Sequence, residues 1–184
     1  MESIYRFGQD TTMGNDGKLM DMLTGYAAAH RHPFNIFVHM IGIPTIMLGV
    51  LIPLTWVSAG SGSATINLAH ILILGFFLFY MTLDRLFAVV FLILALLLSE
   101  LAGTIGSQPV AISGTIAAIA FFGGYIAQFV GHAVEKSMPV LIRHPIQANL
   151  AAPFFTVVEL FKFAGLREDL FNDLQRRVEL LRDQ

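Results

Sequence analysis

Four of the chain's six histidines gather in two short stretches. HRHPFNIFVH, residues 30–39, carries His30, His32 and His39, and YIAQFVGHAVEKSMP, residues 125–139, carries His132 and Glu135. Asn35 and His39 are spaced i, i+4, as are Gln128 and His132, and Glu135 follows His132 by three. On a helix each of these sets shares one face. Imidazole nitrogens meeting near a carboxylate suit a divalent metal such as iron, zinc or copper, with a neighbouring carboxylate or amide fixing the imidazole tautomer. Ionisable groups at the mouth of an apolar span are costly, which favours a functional reading of them. His70 reads instead as a hydrogen-bonding residue between helices, and His144 as a surface turn close enough to supply a fourth ligand. There is no cysteine, so thiolate ligands and disulfides are excluded.

The elements that must position these residues are membrane helices. The chain has 184 residues, 55% hydrophobic and 13% charged, with a mean hydropathy of +0.70. A soluble domain carries about 25% charged residues, so the composition belongs to the membrane class. A formal net charge of −2 argues against nucleic acid as a partner. The polar first 25 residues lack the apolar core of a cleavable signal peptide. Four apolar runs are long enough, or nearly so, to cross a bilayer: Phe34 to Val57, Ile66 to Leu83, Leu86 to Ala102, and Val110 to Val134. Pro33 fits the first position of the first helix with His32 before it, and His30 closes a short upstream helix. SAGSGSAT forms a small-residue turn, Asp84-Arg85 a solvated loop pair, and Gly123-Gly124 a point of close helix contact. Glu100 belongs to the opposite interface.

Beyond Glu135, apolar and charged residues mix. PVLIRHPIQANLAAPFFTVVELFKFAG predicts a half-buried or interfacial helix pair divided at Pro153. The tail predicts an amphipathic helix with Leu166, Leu170, Leu174, Val178 and Leu181 along one stripe. The expected fold is all-α, a polytopic membrane helical bundle of about four transmembrane helices plus C-terminal interfacial or amphipathic helices. It reads as a single membrane domain over 1–184, with an N-terminal segment 1–33, a transmembrane bundle 34–134 and cytoplasmic or interfacial helices 135–184. Arg6, Lys18 and Arg31 precede the first span, Arg85 lies between the second and third, and Lys136, Arg143, Lys162 and Arg167 follow the fourth, while the 58–65 and 103–109 loops carry no charge. This alternation predicts both termini on the cytoplasmic side and returns His132 to the level of His39.

H-x-x-P-x-N-x-x-x-H leading into I-x-x-P-T, together with Q-F-V-G-H-x-V-E-K-x-x-P-x-L, resembles the small membrane 2-hydroxy-fatty-acid dioxygenases of fatty acid α-oxidation, the type that converts phytosphingosine to odd-numbered fatty acids. The likeness covers roughly residues 22 to 165. It implies Fe(2+) as cofactor, a 2-hydroxy fatty acid and O2 as substrates, and a product one carbon shorter. Carried over by position, it makes His30, His39 and His132 the iron ligands, with Glu135 beside them as a catalytic or ligating carboxylate. Relatives often have adjacent histidines at the first position, where Arg31 here separates His30 from His32, so either fills it. Arg31, Lys136 and Arg143 are cations available to the substrate carboxylate, and Asn35 and Gln128 are polar side chains on the histidine faces. A zinc-dependent membrane hydrolase would use the same histidines with Glu135 as general base. A di-iron hydroxylase needs more histidines and an HxxHH cluster, and is excluded. A small transporter or scaffold is disfavoured because the ionisable residues gather at one interface and no repeat is visible. A homo-oligomer remains open, and the short chain without a retention signal leans to a bacterial inner membrane over the endoplasmic reticulum.

Overall fold

A computed structural model describes residues 15–60, 65–143 and 145–182. Arg6, His144 and the side chains of Lys18, Arg143 and Leu181 lie outside the described residues. The helices are α1 (Asn15–Ala29), α2 (Pro33–Thr55), α3 (Leu68–Met81), α4 (Arg85–Gly106), α5 (Val110–Glu135), α6 (Val140–Arg143), α7 (Pro145–Phe163) and α8 (Glu168–Arg182). Between α2 and α3, Ser58–Ala59 and Ile66–Asn67 pair as a minimal antiparallel ribbon, where a turn over 58–65 and a second span starting at Ile66 were expected.

Each helix starts where the side-chain chemistry allows. Pro33 opens α2, and the exposed His32 caps it by accepting the Phe34 N–H on Nδ1. Asn67 caps α3 in a reciprocal box with His70: Asn67 Oδ1 accepts the His70 N–H, and His70 Nδ1 accepts the Asn67 N–H. His70 is therefore a capping residue, where a bond to a neighbouring helix was expected. Asp84 caps α4 through the Phe87 N–H and pairs with Arg167, whose guanidinium also lies 4.7 Å from the Phe87 ring centroid. The expected solvated loop pair is thus split. Asp84 ties the start of α4 to the α7–α8 bend, and Arg85 faces outward.

Among the described residues α2, α4 and α5 are long and apolar enough to cross a membrane, and the count reaches four only if α7 and the first part of α8, bent by 113°, are one span. The expected second span is realised as α3, 14 residues or about 21 Å at ~1.5 Å per residue. That is short of a ~30 Å hydrocarbon core. The Asn67 cap takes its first two residues, and the Thr82–Asp84 turn ends it at Met81. Outward faces of the long helices are apolar (Phe37, Ile93, Leu97, Ile119, Phe122 and Ile126 are all exposed), as lipid contact requires.

α2 and α5 run antiparallel and pack backbone to backbone. A Cβ at Gly49 would lie 2.6 Å from Phe121 N and 2.8 Å from Ala117 O, and one at Gly124 would lie 3.0 Å from Gly42 O. Of the predicted Gly123-Gly124 contact, Gly124 carries all of it, since a Cβ at Gly123 would meet nothing within 4 Å among the described residues. This approach brings the ends of α2 and α5 to one side of the bundle.

The C-terminal region differs from its expected outline. Pro153 lies inside a continuous α7 and is buried; the break falls before Pro145. Proline inside a helix frees a carbonyl one turn back, here that of Asn149. Tertiary contacts hold α7 together around it: the Tyr80 hydroxyl donates to the adjacent Leu150 O at 2.7 Å, and Asn149 Nδ2 donates to Pro145 O at 2.8 Å one turn earlier. On α8 the amphipathic stripe is real in part. Leu174 is buried and Leu170 and Val178 pack on the core, whereas Leu166 is exposed. An Arg177–Asp21 ion pair at 3.5 Å holds α8 against α1.

Candidate metal centre

The α2–α5 contact delivers His39 and His132 to one level, and α1 folds back to add His30. The three rings are buried, at 5%, 4% and 8% exposure. Their centroids lie 4.4 Å (His30–His39), 5.0 Å (His30–His132) and 4.9 Å (His39–His132) apart, each pair edge-on. One nitrogen from each ring falls within 4.8 Å of the others.

The backbone sets the tautomers. His30 Nδ1 lies 3.1 Å from Tyr26 O and His39 Nδ1 lies 2.9 Å from Asn35 O. A carbonyl only accepts, so both Nδ1 atoms carry the proton and both Nε2 atoms present a lone pair. His132 Nδ1 meets Ser137 Oγ at 2.9 Å, through a turn that Lys136 makes in the left-handed region at φ 55°. Burial, with His39 close by, holds the His30 imidazole well below its ordinary range, which keeps it in the neutral, ligating form. His30 is further fixed by a three-ring stack: Tyr26 lies 3.9 Å from His30 and 3.7 Å from Phe155, nearly parallel to both.

Two atoms in this neighbourhood are buried with no hydrogen-bond partner among the described residues, His30 Nε2 and Asn35 Oδ1. Leaving a buried acceptor unmade costs about 1–3 kcal/mol. A cation among the three rings would relieve the first of these. Three neutral imidazoles suit iron, zinc or copper, so the donor set fits a metal.

Glu135 stands outside this cluster. Its Oε1 accepts the Arg31 N–H at 2.7 Å and the His32 N–H at 3.4 Å, and its Oε2 accepts Asn35 Nδ2 at 2.5 Å. The carboxylate thus closes the entrance of α2 and holds the Asn35 side chain, and the Asn35 backbone carbonyl accepts from His39 Nδ1. Gly131 leaves room for this arrangement, since a Cβ there would collide with Asn35 Oδ1. Of the two candidates for the first position, His30 joins the other rings and His32 caps a helix. Tyr26, Ser137 and Phe155 were not anticipated. Only the i, i+4 spacing of Tyr26 and His30 hinted at a partner, and Ser137 depends on a turn for which lysine carries no signal.

The rings sit at the head of an apolar cavity of ≈420 Å³ lined by residues of α1 through α7. Gln128 lines it one turn below His132. Of the other polar residues considered for substrate, Asn35 turns to Glu135 and Arg31 borders a smaller cleft among α1, α7 and α8. Phe129, Gln147 and Asn149 line the cavity and are exposed, so its open side lies between α5 and the start of α7. The Tyr125 hydroxyl donates to Asn149 Oδ1 at 2.6 Å across that gap.

A family model described as 2-hydroxy-palmitic acid dioxygenase Mpo1-like matches residues 17–163, which include all three clustered histidines and Glu135. The 2-hydroxy-palmitic acid dioxygenase MPO1 of Saccharomyces cerevisiae is 32% identical over 173 residues, covering 90% of this chain and 95% of the yeast protein. No solved structure matches.

Proposed function

The chain belongs to the Mpo1-like family, and from that premise we propose that it is an Fe(2+)-dependent dioxygenase that shortens 2-hydroxy fatty acids by one carbon. The observation that carries the reading is the buried group of His30, His39 and His132 at the head of an apolar cavity. These three would hold the metal, and bound iron would supply the redox chemistry that couples the substrate to O2. The reaction needs no further oxidant, because a 2-hydroxy acid plus O2 balances to the acid one carbon shorter, CO2 and water.

The chain's own residues divide the remaining work. Tyr26 O, Asn35 O and Ser137 Oγ orient the imidazoles. Glu135 holds Asn35 and the start of α2 and acts as a support for the ligands. Gln128 is the polar side chain best sited to meet the substrate's carboxylate or hydroxyl, while the apolar walls take the chain and exclude water. Both Glu135 oxygens brace the start of α2, which favours a supporting role over that of the general base a zinc hydrolase needs. We further propose that the whole chain forms one membrane unit, with the histidine end facing the cytoplasm, as the distribution of Lys and Arg favours.

The test is direct. Purified protein loaded with ferrous iron, under O2, converts a 2-hydroxy fatty acid to the acid one carbon shorter and leaves the unsubstituted acid unchanged. Equal turnover of both acids, or activity supported by zinc without O2, overturns the reading.

A further inference from the structure

The cavity has a head and a floor. On α2 it is lined from His39 through Ile43 and Met47 to Leu51. α5 descends alongside, with Gln128 beside Gly42 and Phe121 beside Gly49. The deepest lining is therefore Leu51, Phe121 and, on α3, Leu72; Leu51 is 2% exposed. Twelve residues separate His39 from Leu51, about 18 Å at ~1.5 Å per residue. A fully extended chain advances about 1.2 Å per bond, taking ~3.5 Å for the three backbone bonds of a residue. The space thus admits about fifteen bonds, a chain of about sixteen carbons held by its carboxyl end.

We propose that Leu51, Leu72 and Phe121 form the stop that sets the length of acyl chain this protein accepts. The inference rests on the fatty-acid reading above and adds the residues that choose among chain lengths. A carboxyl group fixed at the histidine end places the methyl end at a depth determined by chain length alone. Shorter chains leave apolar wall uncovered, and longer ones press against side chains that are already packed. Each buried methylene contributes about 0.8 kcal/mol, or about fourfold in binding.

The experiment reads binding and turnover separately on the iron-loaded full chain in detergent. Binding of 2-hydroxy acids of twelve to twenty carbons is measured without O2 by displacement of a fluorescent fatty acid. Turnover of the same acids is measured with O2. Leu51→Ala and Leu72→Ala deepen the floor and move the preferred length up by about two carbons. Leu72→Phe raises the floor and moves it down by about two. Each changes the affinity ratio of acids two carbons apart by about fifteenfold. Leu72→Phe adds volume at a partly buried position, so it decides the matter should either truncation fail to fold. If the wild type binds and shortens these acids but the folded variants keep its length profile, the stop is refuted and the function stands. If the binding profile shifts as expected with no turnover, the stop stands and the dioxygenase reading falls. If no acid binds, both fall.

Discussion

Glu135 separates two architectures of the histidine site, a carboxylate that ligates and a carboxylate that braces. Its shortest bonds are from the Arg31 N–H at 2.7 Å and from Asn35 Nδ2 at 2.5 Å. A hydrogen bond to a charged acceptor contributes about 1.5–3 kcal/mol. The Arg31 bond is exposed, so water replaces most of it in Glu135→Ala, and the Asn35 bond is the main loss. At ~1.4 kcal/mol per decade that amounts to roughly 10–100-fold, the range expected when a group supporting a metal ligand is removed. Glu135→Gln keeps one acceptor for the Arg31 N–H but sets an amide N–H against Asn35 Nδ2. Asn35 must then turn its amide over, which gives an intermediate defect. The assay is iron titration of the purified variants against a chelator, with bound iron read by elemental analysis. The expected result is weakened binding that recovers in excess iron, with Glu135→Ala more affected than Glu135→Gln. Complete loss that no excess restores would refute the brace and make Glu135 a ligand, and wild-type affinity in Glu135→Ala would show that it supports nothing.

Other substitutions probe the rest of the structure. His30→Ala, His39→Ala and His132→Ala should each abolish bound metal in elemental analysis, whereas His32→Ala keeps it; a fully metallated His30→Ala alongside an empty His32→Ala would reverse the assignment. His70→Ala removes half of the α3 capping box and should cost about 1 kcal/mol of stability with metal content unchanged. Gly49→Ala forces α2 from α5 and should cost about 1–3 kcal/mol by thermal unfolding in detergent, while Gly123→Ala, with nothing near it, should be neutral or stabilising. Asp84→Asn weakens the tie to Arg167 while keeping a helix cap; a faster proteolytic release of α8 is the expected reading, and unchanged release argues that the pair holds nothing.

Much of this was legible in the sequence because it follows from periodicity. The apolar runs gave α2, α4 and α5, and the i, i+4 spacings put Asn35 with His39 and Gln128 with His132. The choice between His30 and His32 was not legible, because it turns on where α1 ends and α2 begins. α1 ends at Ala29, so His30 still bonds back to Tyr26 O, while His32 becomes the cap of the next helix. Pro153 misled for a related reason: a proline can sit inside a helix that tertiary packing holds together, and the bond from Tyr80 to Leu150 O in this turn comes from seventy residues away. Asp84 looked like loop charge because its partner, Arg167, is equally remote in sequence.

What separates a metal centre from three buried histidines that merely fill space is the accounting of their nitrogens. A packing histidine satisfies both ring nitrogens or exposes one to water. Here each Nδ1 is bound outward, to Tyr26 O, Asn35 O and Ser137 Oγ, and the second nitrogens are left to a common centre. For His30 that nitrogen is buried with no partner among the described residues, which a folded protein tolerates only at a cost of about 1–3 kcal/mol. Among the described residues no carboxylate joins the group, because Glu135 turns to the start of α2. Such a site is costly when empty and neutral in its ligands. Under the proposed function it would attract a cation through its lone pairs and would leave that cation's charge uncompensated. An anionic ligand would complete it, and the apolar cavity has room for one with a long hydrocarbon chain. The 2-hydroxy carboxylate of the proposed substrate would then supply the charge that Glu135, turned to the start of α2, does not.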